Sequence, residues 1–275
     1  MRTGLQAVDR AVAILGCFDA DRSDLSVAEI ASRLGLNRST TWRYLNSLSQ
    51  NGMLTALDNT GRYALGPGAL QLGNAYTSRW RALSDVATSY LTQLRDLTGE
   101  TAALHVRHAW SRVVVTQLES RQELHRTYRD IGQPIPMHLG APSLAILAFL
   151  TKQEQRSYYA TQHADTPGDV ERALDGLAEI KRQGYAVSKR ARTSDIASVA
   201  APILDAAGAA IAAINVTGPA DRFTDSSIRE FASQVREAAN SITQHLKTRR
   251  QPNQGRQAGD YTRGDTPIVE QSIEP

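Results

Sequence analysis

The spacing of apolar residues near the N-terminus predicts a series of short helices. Apolar residues recur at steps of three and four over residues 5–18, which predicts a helix with one buried face. A Ser-x-x-Glu capping box at residues 26–29 opens a second helix, and Gly35 ends it. Asn37 is a favourable N-cap, and it predicts a third helix over residues 38–51.

Two short strand patterns follow the third helix. Residues 53–57 and 62–65 are typical of strands, and residues 58–61 form a turn with glycine at its end. Two helices joined at a glycine-containing turn, with a β-hairpin after the second, predict a winged helix-turn-helix. Such a module places its second helix in the major groove of DNA.

The rest of the chain predicts a linking helix over residues 69–80 and then a second domain. The further predicted helices cover residues 83–98, 143–150, 170–183 and 225–246. The predicted strands cover residues 101–106, 112–117, 123–128, 185–188, 198–203 and 209–217. This order of helices and strands predicts an α+β layer domain. Residues 249–275 lack apolar periodicity, and we expect a disordered tail there.

Length and composition agree with a globular protein of two domains. The 275 residues are 41% hydrophobic and 21% charged, and the nearly uncharged apolar stretch over residues 139–150 is too short to cross a bilayer. Since no signal core follows the N-terminus, we expect a cytoplasmic protein. The single cysteine, Cys17, supports neither a disulfide framework nor a cysteine-rich zinc site, and it lies on an apolar helix stripe.

Charge alone does not predict a nucleic-acid partner, because the net charge is only +3. A local excess of positive charge occurs over residues 37–62, which contain three arginines and only one acidic residue, Asp58. A solvated helix face would show the same excess. No lysine occurs before Lys152, so phosphate contacts in this region would come from arginine, hydroxyl or backbone donors.

Residues 25–45 resemble the helix-turn-helix of the IclR family of bacterial transcription regulators. The second half resembles the same family in order and in register, at residues 99–101, 132–138, 184–187, 200–203 and 215–219. The resemblance covers roughly residues 5–246. It implies a winged-helix dimer on operator DNA, and a GAF-like α/β domain that binds a small organic acid and promotes homodimers or homotetramers.

The fold class expected from pattern and resemblance together is therefore α+β, with a winged helix-turn-helix followed by a GAF-like α/β effector-binding domain. The expected division is residues 1–66 for DNA binding, 67–81 for the linker helix, 82–248 for effector binding and 249–275 for the tail.

The third helix carries the expected DNA-reading surface. Thr41, Leu45 and Leu48 lie on one stripe that should pack on the first two helices. Arginines beside that stripe suit guanine or phosphate, and hydroxyl groups suit phosphate or base edges. The expected DNA-binding residues are Arg38, Ser39, Thr40, Trp42, Arg43, Tyr44, Asn46 and, at the root of the wing, Arg62. Which residue contacts which base is left open.

The family resemblance also implies a set of effector-binding residues. Carried over position by position, they are Leu124, Thr127, Ile135, Ala141, Pro142, Ser143, Ser188, Ile196, Ser198, Asn215 and Thr217. A helix beginning near Ala141 would attract a carboxylate through its free N–H groups and its dipole. Pro142 removes one of those donors, and the Ser143 hydroxyl is the expected replacement.

Departures from the family pattern cluster around this expected pocket. Ser143 and Leu144 stand where the family has Gly-Lys, residues 188–192 are basic where it is acidic, and Asp195 replaces a glycine before Ile196. The effector is therefore an open question. Leu124, Ile135 and Ile196 offer apolar walls, and burying a ring there is worth roughly 2 kcal/mol. We therefore expect a hydroxylated aromatic monocarboxylate such as 4-hydroxybenzoate over pyruvate or glyoxylate.

Other function classes have weaker support. Residues 140–143 do not form a Gly-x-Ser-x-Gly nucleophile elbow, and His105 and His108 lack a third metal ligand nearby. There is no phosphate loop or dinucleotide fingerprint. We expect no catalytic residue, metal or cofactor, and no membrane partner. The alternatives are a GAF-like sensor whose N-terminal domain binds proteins and, less favoured, a small-molecule enzyme. The sequence leaves open whether the protein represses or activates transcription. It also leaves open whether the protein is a dimer or a tetramer.

Overall fold

The computed structural model of the chain describes residues 5–58, 60–128, 131–162, 167–191 and 195–249. The predicted tail lies outside the described residues from residue 250 onward. Among the described helices, none is both long enough and apolar enough to cross a membrane.

The N-terminal part is a small helical unit closed by a sheet of short antiparallel strands. Its elements are α1 (Gln6–Leu15), β1 (Asp24–Ser26), α2 (Val27–Leu34), α3 (Arg38–Gln50), β2 (Leu54–Leu57) and β3 (Arg62–Leu65). The strand order is β1-β3-β2. Ile14, Ile30 and Leu45 are fully buried in the shared core. The winged helix-turn-helix arrangement is as predicted. The strand β1 was not predicted, because it has only three residues and so shows no alternating pattern in the sequence.

Local capping hydrogen bonds set the bounds of α2 and α3. Ser26 caps α2 through a full capping box, in which Oε2 of Glu29 accepts from the Ser26 backbone N–H at 2.7 Å. Gly35 ends α2 in the left-handed conformation, with φ of 63°. Oδ1 of Asn37 then accepts from the Thr40 backbone N–H at 2.7 Å and starts α3. The predicted caps are therefore confirmed.

The C-terminal part is an antiparallel sheet with helices on both faces. Its helices are α4 (Pro67–Ser78), α5 (Arg81–Thr98), α6 (Ala141–Leu147), α7 (Lys152–Gln162), α8 (Pro167–Gln183) and α9 (Asp225–Arg249), with a short 3-10 helix at Ala220–Arg222. Its strands are β4 (Thr101–His108), β5 (Ser111–Leu118), β6 (Ile135–Pro136), β7 (Ala186–Lys189), β8 (Ile196–Leu204) and β9 (Ala210–Pro219). They pair in the order β6-β5-β4-β9-β8-β7.

Alternation along the central strands builds a separate core on each face of this sheet. In β8, Val199 and Ala201 pack with α5 and α9, whereas Ala200 packs with α6 and α8 on the other face. In β4, Leu104 and Val106 face α5 and α9, so Ala103 and His105 face the opposite side. That opposite side, near the edge strands β5 and β6, holds the candidate pocket.

The structure differs from the sequence predictions at three places in this domain. Residues 123–128 form no strand, because the edge position beside β5 is taken by β6, where Arg112 pairs with Ile135. The apolar helix predicted over residues 143–150 begins earlier, at Ala141, and ends at Leu147. The helix α7 that follows was not predicted, because its sequence is polar and weakly periodic.

Candidate DNA-binding surface and effector pocket

The outward face of α3 is a candidate DNA-binding surface. Thr41 and Leu45 are fully buried, and Leu48 is half-buried against the same core, as the periodicity predicted. The expected contact residues lie on the other side of the helix. Exposed among them are Arg38, Ser39, Trp42, Arg43 and Asn46, and half-buried are Thr40 and Tyr44.

The charge of this face is available to a partner. Within the described part of the chain, neither Arg38 nor Arg43 forms an ion pair with another residue. Trp42 is 52% exposed, an unusual position for a large aromatic side chain. A helix that presents uncompensated arginines and an exposed aromatic ring is suited to the phosphates and base edges of a DNA groove.

Arg62 occupies a different position from the other expected DNA contacts. Its guanidinium pairs with Asp24 and lies 3.2 Å from Oε2 of Glu29, and its Nη2 donates to the Asp24 carbonyl oxygen at 2.9 Å. The hydrogen bonds from Ser26, together with Arg62, hold the pKa of Glu29 below its ordinary value. Arg62 therefore ties the wing to β1 and α2, whereas the other expected DNA contacts lie on α3.

A cavity of about 210 Å³ lies on the α6 side of the sheet, against β5, β6 and β8. Most of the residues expected from the resemblance line it: Thr127, Ile135, Ala141, Pro142, Ser188, Ile196, Ser198 and Thr217. The other lining residues were not anticipated: Arg112, Arg126, Tyr128, Gln133, Gly140 and Ala191. The unanticipated set includes two arginines and an aromatic ring, so it changes the chemistry of the cavity.

The remaining expected pocket residues do not line the cavity. Leu124 is 60% exposed, and its backbone carbonyl accepts from Nη1 of Arg222 at 2.9 Å. This placement corrects the expectation that Leu124 forms an apolar wall. Ser143 and Asn215 are fully buried behind the lining, where they contact residues that do face the cavity.

At the start of α6, the structure shows which of the expected donors are already used. The helix has only seven residues, and the backbone N–H of Ala141 already donates to Oγ of Ser188 at 3.0 Å. Pro142 has no N–H group. The Ser143 hydroxyl donates to the Pro136 carbonyl at 3.0 Å and accepts from Arg112, so it does not replace the lost donor. Of the donors expected at this helix start, the Ala141 N–H and the Ser143 hydroxyl are therefore already used within the protein.

Arg112 is the buried cation of the cavity wall, with 1% of its surface exposed. Its Nε donates to Oγ of Ser143 at 2.7 Å, and its Nη1 lies 2.6 Å from Nδ1 of His105. Because a guanidinium has only donors, Nδ1 of His105 must be the acceptor, which leaves the ring proton on Nε2. Nε2 of His105 in turn lies 2.8 Å from Oδ1 of Asn215, which accepts that proton.

Asn215 connects this chain of hydrogen bonds to two residues of the cavity wall. Its Nδ2 donates to Oγ of Ser198 at 2.8 Å and to the hydroxyl oxygen of Tyr128 at 3.1 Å. Ser198 then donates to the Val216 carbonyl at 3.0 Å. The Tyr128 ring also meets the His105 ring edge-on, with centroids 4.9 Å apart. The chain fixes the side chains of Arg112, Tyr128 and Ser198 in one arrangement.

The sequence position of Arg112, two residues before Val114, is a signal that could have identified it as a pocket residue. Alternation along β5 places these two side chains on the same face, and Val114 is buried there beside Ala103 and Ile135. A register shift between Leu104 and His105 against β5 marks a bulge at this point of the ladder. Bulges of this kind re-aim side chains next to binding sites.

Ion pairs hold the segment between β5 and β6 over the cavity. Arg126, which lines the cavity, pairs with Asp195 at the start of β8. Arg222 pairs with the buried carboxylate of Glu100, and its contact with Leu124 holds the same segment from the other side. The hydrogen bonds to Glu100 raise the pKa of Arg222. The roof of the cavity is thus attached to two other elements of the domain.

Comparison with known proteins agrees with this architecture. The family model of the IclR helix-turn-helix domain matches residues 7–58, and that of the bacterial transcriptional regulator IclR C-terminal domain matches residues 75–244. The HTH-type transcriptional regulator BhcR of Paracoccus denitrificans is 31% identical over 245 residues, which are 87% of each chain.

Solved structures share the fold over nearly all of their length. The crystal structure of Thermotoga maritima IclR is 26% identical with a TM-score of 0.71, and the match covers 88% of this chain and 99% of that one. An IclR homologue from Microbacterium hydrocarbonoxydans, crystallised with 4-hydroxybenzoate, is 22% identical with a TM-score of 0.71, over 88% of this chain and 100% of that one.

The two matched domains define a DNA-binding transcription regulator with an effector-binding C-terminal domain. The chain belongs to the IclR family of bacterial transcription regulators. In the described residues, no cluster of histidine, cysteine and acidic side chains is arranged to hold a metal ion.

Proposed function

We propose that this regulator binds double-stranded operator DNA as a homodimer or homotetramer and responds to a small aromatic carboxylate of the hydroxybenzoate kind. The observation that carries the effector class is the cavity of about 210 Å³ between β5, β8 and α6. An engineered apolar cavity of about 150 Å³ is large enough for benzene. The cavity therefore has room for one six-membered ring with its substituents.

The chemistry of the cavity wall supports a ring with polar groups. Ile135, Pro142 and Ile196 provide apolar surface, and Thr127 and Ser198 provide hydroxyl groups. A two- or three-carbon keto acid has little apolar area to bury against such walls. The 4-hydroxybenzoate bound by the Microbacterium homologue is a ligand of the size and polarity that this cavity suits.

The DNA-contacting set that we propose lies on α3. It consists of Arg38, Ser39, Thr40, Trp42, Arg43, Tyr44 and Asn46. Because one recognition helix covers only one half-site, a specific site requires a second copy about 34 Å away or a multiple of that distance. Exposed apolar side chains offer a surface for that copy: Leu5 at the N-cap of α1, Val8 and Val12 on α1, and Leu70 and Leu72 on α4.

DNA binding is tested with a palindromic fragment from upstream of the protein's own gene. Fluorescence anisotropy at several salt concentrations should show an affinity that falls steeply as salt rises, because phosphate contacts release counterions. An affinity that does not change with salt, or a monomer in light scattering both with and without DNA, would contradict the proposal.

Effector binding is tested by calorimetry on the full-length protein. Hydroxybenzoates should bind more tightly than pyruvate or glyoxylate, since only the ring buries apolar area against Ile135 and Ile196. If pyruvate binds more tightly, or if neither class binds, the proposed effector class is wrong.

A further inference from the structure

Tyr128 places on the cavity wall a hydroxyl group whose oxygen is already bonded inside the protein. It lines the cavity, and its oxygen accepts from Nδ2 of Asn215 at 3.1 Å. The same Nδ2 donates to Oγ of Ser198, another lining residue, at 2.8 Å. Asn215 is fully buried, so a single amide group behind the wall holds two oxygens that face the cavity.

The hydroxyl hydrogen of Ser198 fixes the direction of these bonds. Ser198 donates to the backbone carbonyl of Val216 at 3.0 Å, so toward Asn215 its oxygen can only accept. The Asn215 atom that faces Ser198 is therefore the amide nitrogen, whose second hydrogen is directed at Tyr128. The Tyr128 oxygen thus accepts, and its own hydrogen has no acceptor among the residues that the structure describes.

Other hydroxyl groups of the lining differ from Tyr128 in this respect. Thr127 donates to the Glu119 carboxylate at 3.0 Å, and Thr217 donates to a backbone carbonyl of β8 at 3.1 Å. Like Ser198, these two residues have used their hydroxyl hydrogens within the protein, so they offer a ligand only lone pairs. Tyr128 offers a donor.

Tyr128 and Ser198 therefore present a donor and an acceptor next to each other. Their bonds to one amide nitrogen keep the two oxygens close together. The Ser198 oxygen has two lone pairs, and Asn215 uses one of them, so the other is left to accept. A ligand hydroxyl group both accepts and donates, so it suits this pair, whereas a ligand without one would leave both groups unsatisfied.

We infer that Tyr128 selects a hydroxylated effector: its O–H donates to the ring hydroxyl of the ligand, which donates in turn to Ser198, and Asn215 positions both residues. This inference rests on the proposed function, because it names the groups of the same cavity that recognise one substituent of the ring. Tyr128 was not among the residues that the family resemblance implied. The inference predicts that the protein distinguishes 4-hydroxybenzoate from analogues of nearly equal size that lack the hydroxyl group.

The test compares 4-hydroxybenzoate with 4-fluorobenzoate by calorimetry on the full-length protein. Both are aromatic carboxylates of nearly the same size, so the ratio of their affinities isolates the hydroxyl group. Wild type should bind 4-hydroxybenzoate about 10- to 100-fold more tightly, the range expected for two hydrogen bonds. In Tyr128→Phe this ratio should fall by about 3- to 10-fold, because phenylalanine keeps the ring and removes only the donor.

A third ligand, 4-aminobenzoate, separates the roles of the two residues. Its amino group donates hydrogen bonds but accepts poorly, because the nitrogen lone pair is delocalised into the ring. Tyr128→Phe should therefore leave its affinity within about twofold of wild type, whereas Ser198→Ala should weaken it. Equal losses for 4-aminobenzoate and 4-hydroxybenzoate in Tyr128→Phe would contradict the donor role of Tyr128.

Ser188→Ala is the matched control, because it removes a different hydroxyl group from the same cavity lining. The Ser188 oxygen accepts from the Ala141 N–H at 3.0 Å, and none of the described residues accepts its hydrogen. Its removal should change the affinities for 4-hydroxybenzoate and 4-fluorobenzoate by the same factor. A ratio that falls in Ser188→Ala and keeps its wild-type value in Tyr128→Phe would overturn the inference.

Wild type alone decides the matter if the Tyr128 variant does not fold. Equal affinity of wild type for 4-hydroxybenzoate and 4-fluorobenzoate contradicts the hydroxyl site and leaves the class of aromatic carboxylates intact. Failure of wild type to bind either acid contradicts the effector class and the hydroxyl site with it.

Discussion

Arg222 donates two hydrogen bonds to the buried carboxylate of Glu100, from Nε to Oε1 at 2.5 Å and from Nη2 to Oε2 at 2.7 Å. Glu100 is 1% exposed, whereas the Arg222 side chain is 30% exposed. Removing the arginine would leave a carboxylate in the interior without its counter-charge. Arg222→Ala should therefore lower the free energy of unfolding by about 3 kcal/mol in urea denaturation followed by circular dichroism.

Arg182 provides the control for this variant. It pairs with Glu179 one turn away on α8, and both side chains are more than half exposed. Arg182→Ala should cost less than about 0.5 kcal/mol, because exposed pairs of this kind are weak. Equal losses in the two variants would show that burial of Glu100 does not matter.

The ion pair of Arg222 and Glu100 requires a residue without a side chain at position 218. A Cβ on Gly218 would overlap the carboxylate of Glu100, closer to Oε2 than non-bonded atoms approach. Gly218→Ala should therefore displace the carboxylate and destabilise the protein by about 1–3 kcal/mol. A Cβ added to Gly176, in α8, would have no neighbouring atom within 4 Å, and Gly176→Ala should stabilise by up to about 1 kcal/mol. Thermal denaturation that ranks the two variants the other way would refute this assignment.

Arg43 on α3 should contribute to DNA affinity without contributing to stability. It is exposed and forms no ion pair within the described residues, so Arg43→Ala should leave the helical circular dichroism spectrum unchanged. If it contacts a phosphate, the slope of log affinity against log salt should fall by about one. Arg229→Ala, which removes an exposed arginine from α9, should change neither affinity nor slope. Undiminished affinity in a folded Arg43→Ala would remove this residue from the proposed surface.

Cys17 reports on the folding of the N-terminal part. Burial raises the pKa of its thiol, and it is the single cysteine of the chain. At pH 8 the native protein should therefore react slowly with a thiol reagent, and the urea-unfolded protein should react at once. Complete labelling of the native protein within seconds would contradict the packing of Cys17 between α1 and its neighbours.

The parts of the fold that the sequence predicted are those determined by local interactions. The capping box of Ser26 and Glu29 and the cap of Asn37 act over three residues, so a short motif reveals them. The periodic stripe of Thr41 and Leu45 is equally local. These signals sufficed for the helix-turn-helix and for the approximate order of the second domain.

The chemistry of the pocket depends on contacts that no local pattern contains. Arg112 meets Ser143 across 31 positions, and His105 meets Asn215 across 110. Positions carried over from the resemblance located most of the cavity lining, but they missed Arg112, which a side-chain network rather than a motif holds in place. Leu124 was misplaced for a related reason, since its segment is held by the distant Arg222.

We propose that a ligand in this cavity controls the binding of DNA by α3. The most direct test is the DNA dissociation constant of the wild-type protein, measured by fluorescence anisotropy with and without saturating 4-hydroxybenzoate. We predict that 4-hydroxybenzoate changes this dissociation constant by at least about fivefold, and that pyruvate at the same concentration leaves it unchanged. The direction of the change shows whether the effector releases the protein from DNA or strengthens its binding. The same dissociation constant in all three conditions would contradict the account.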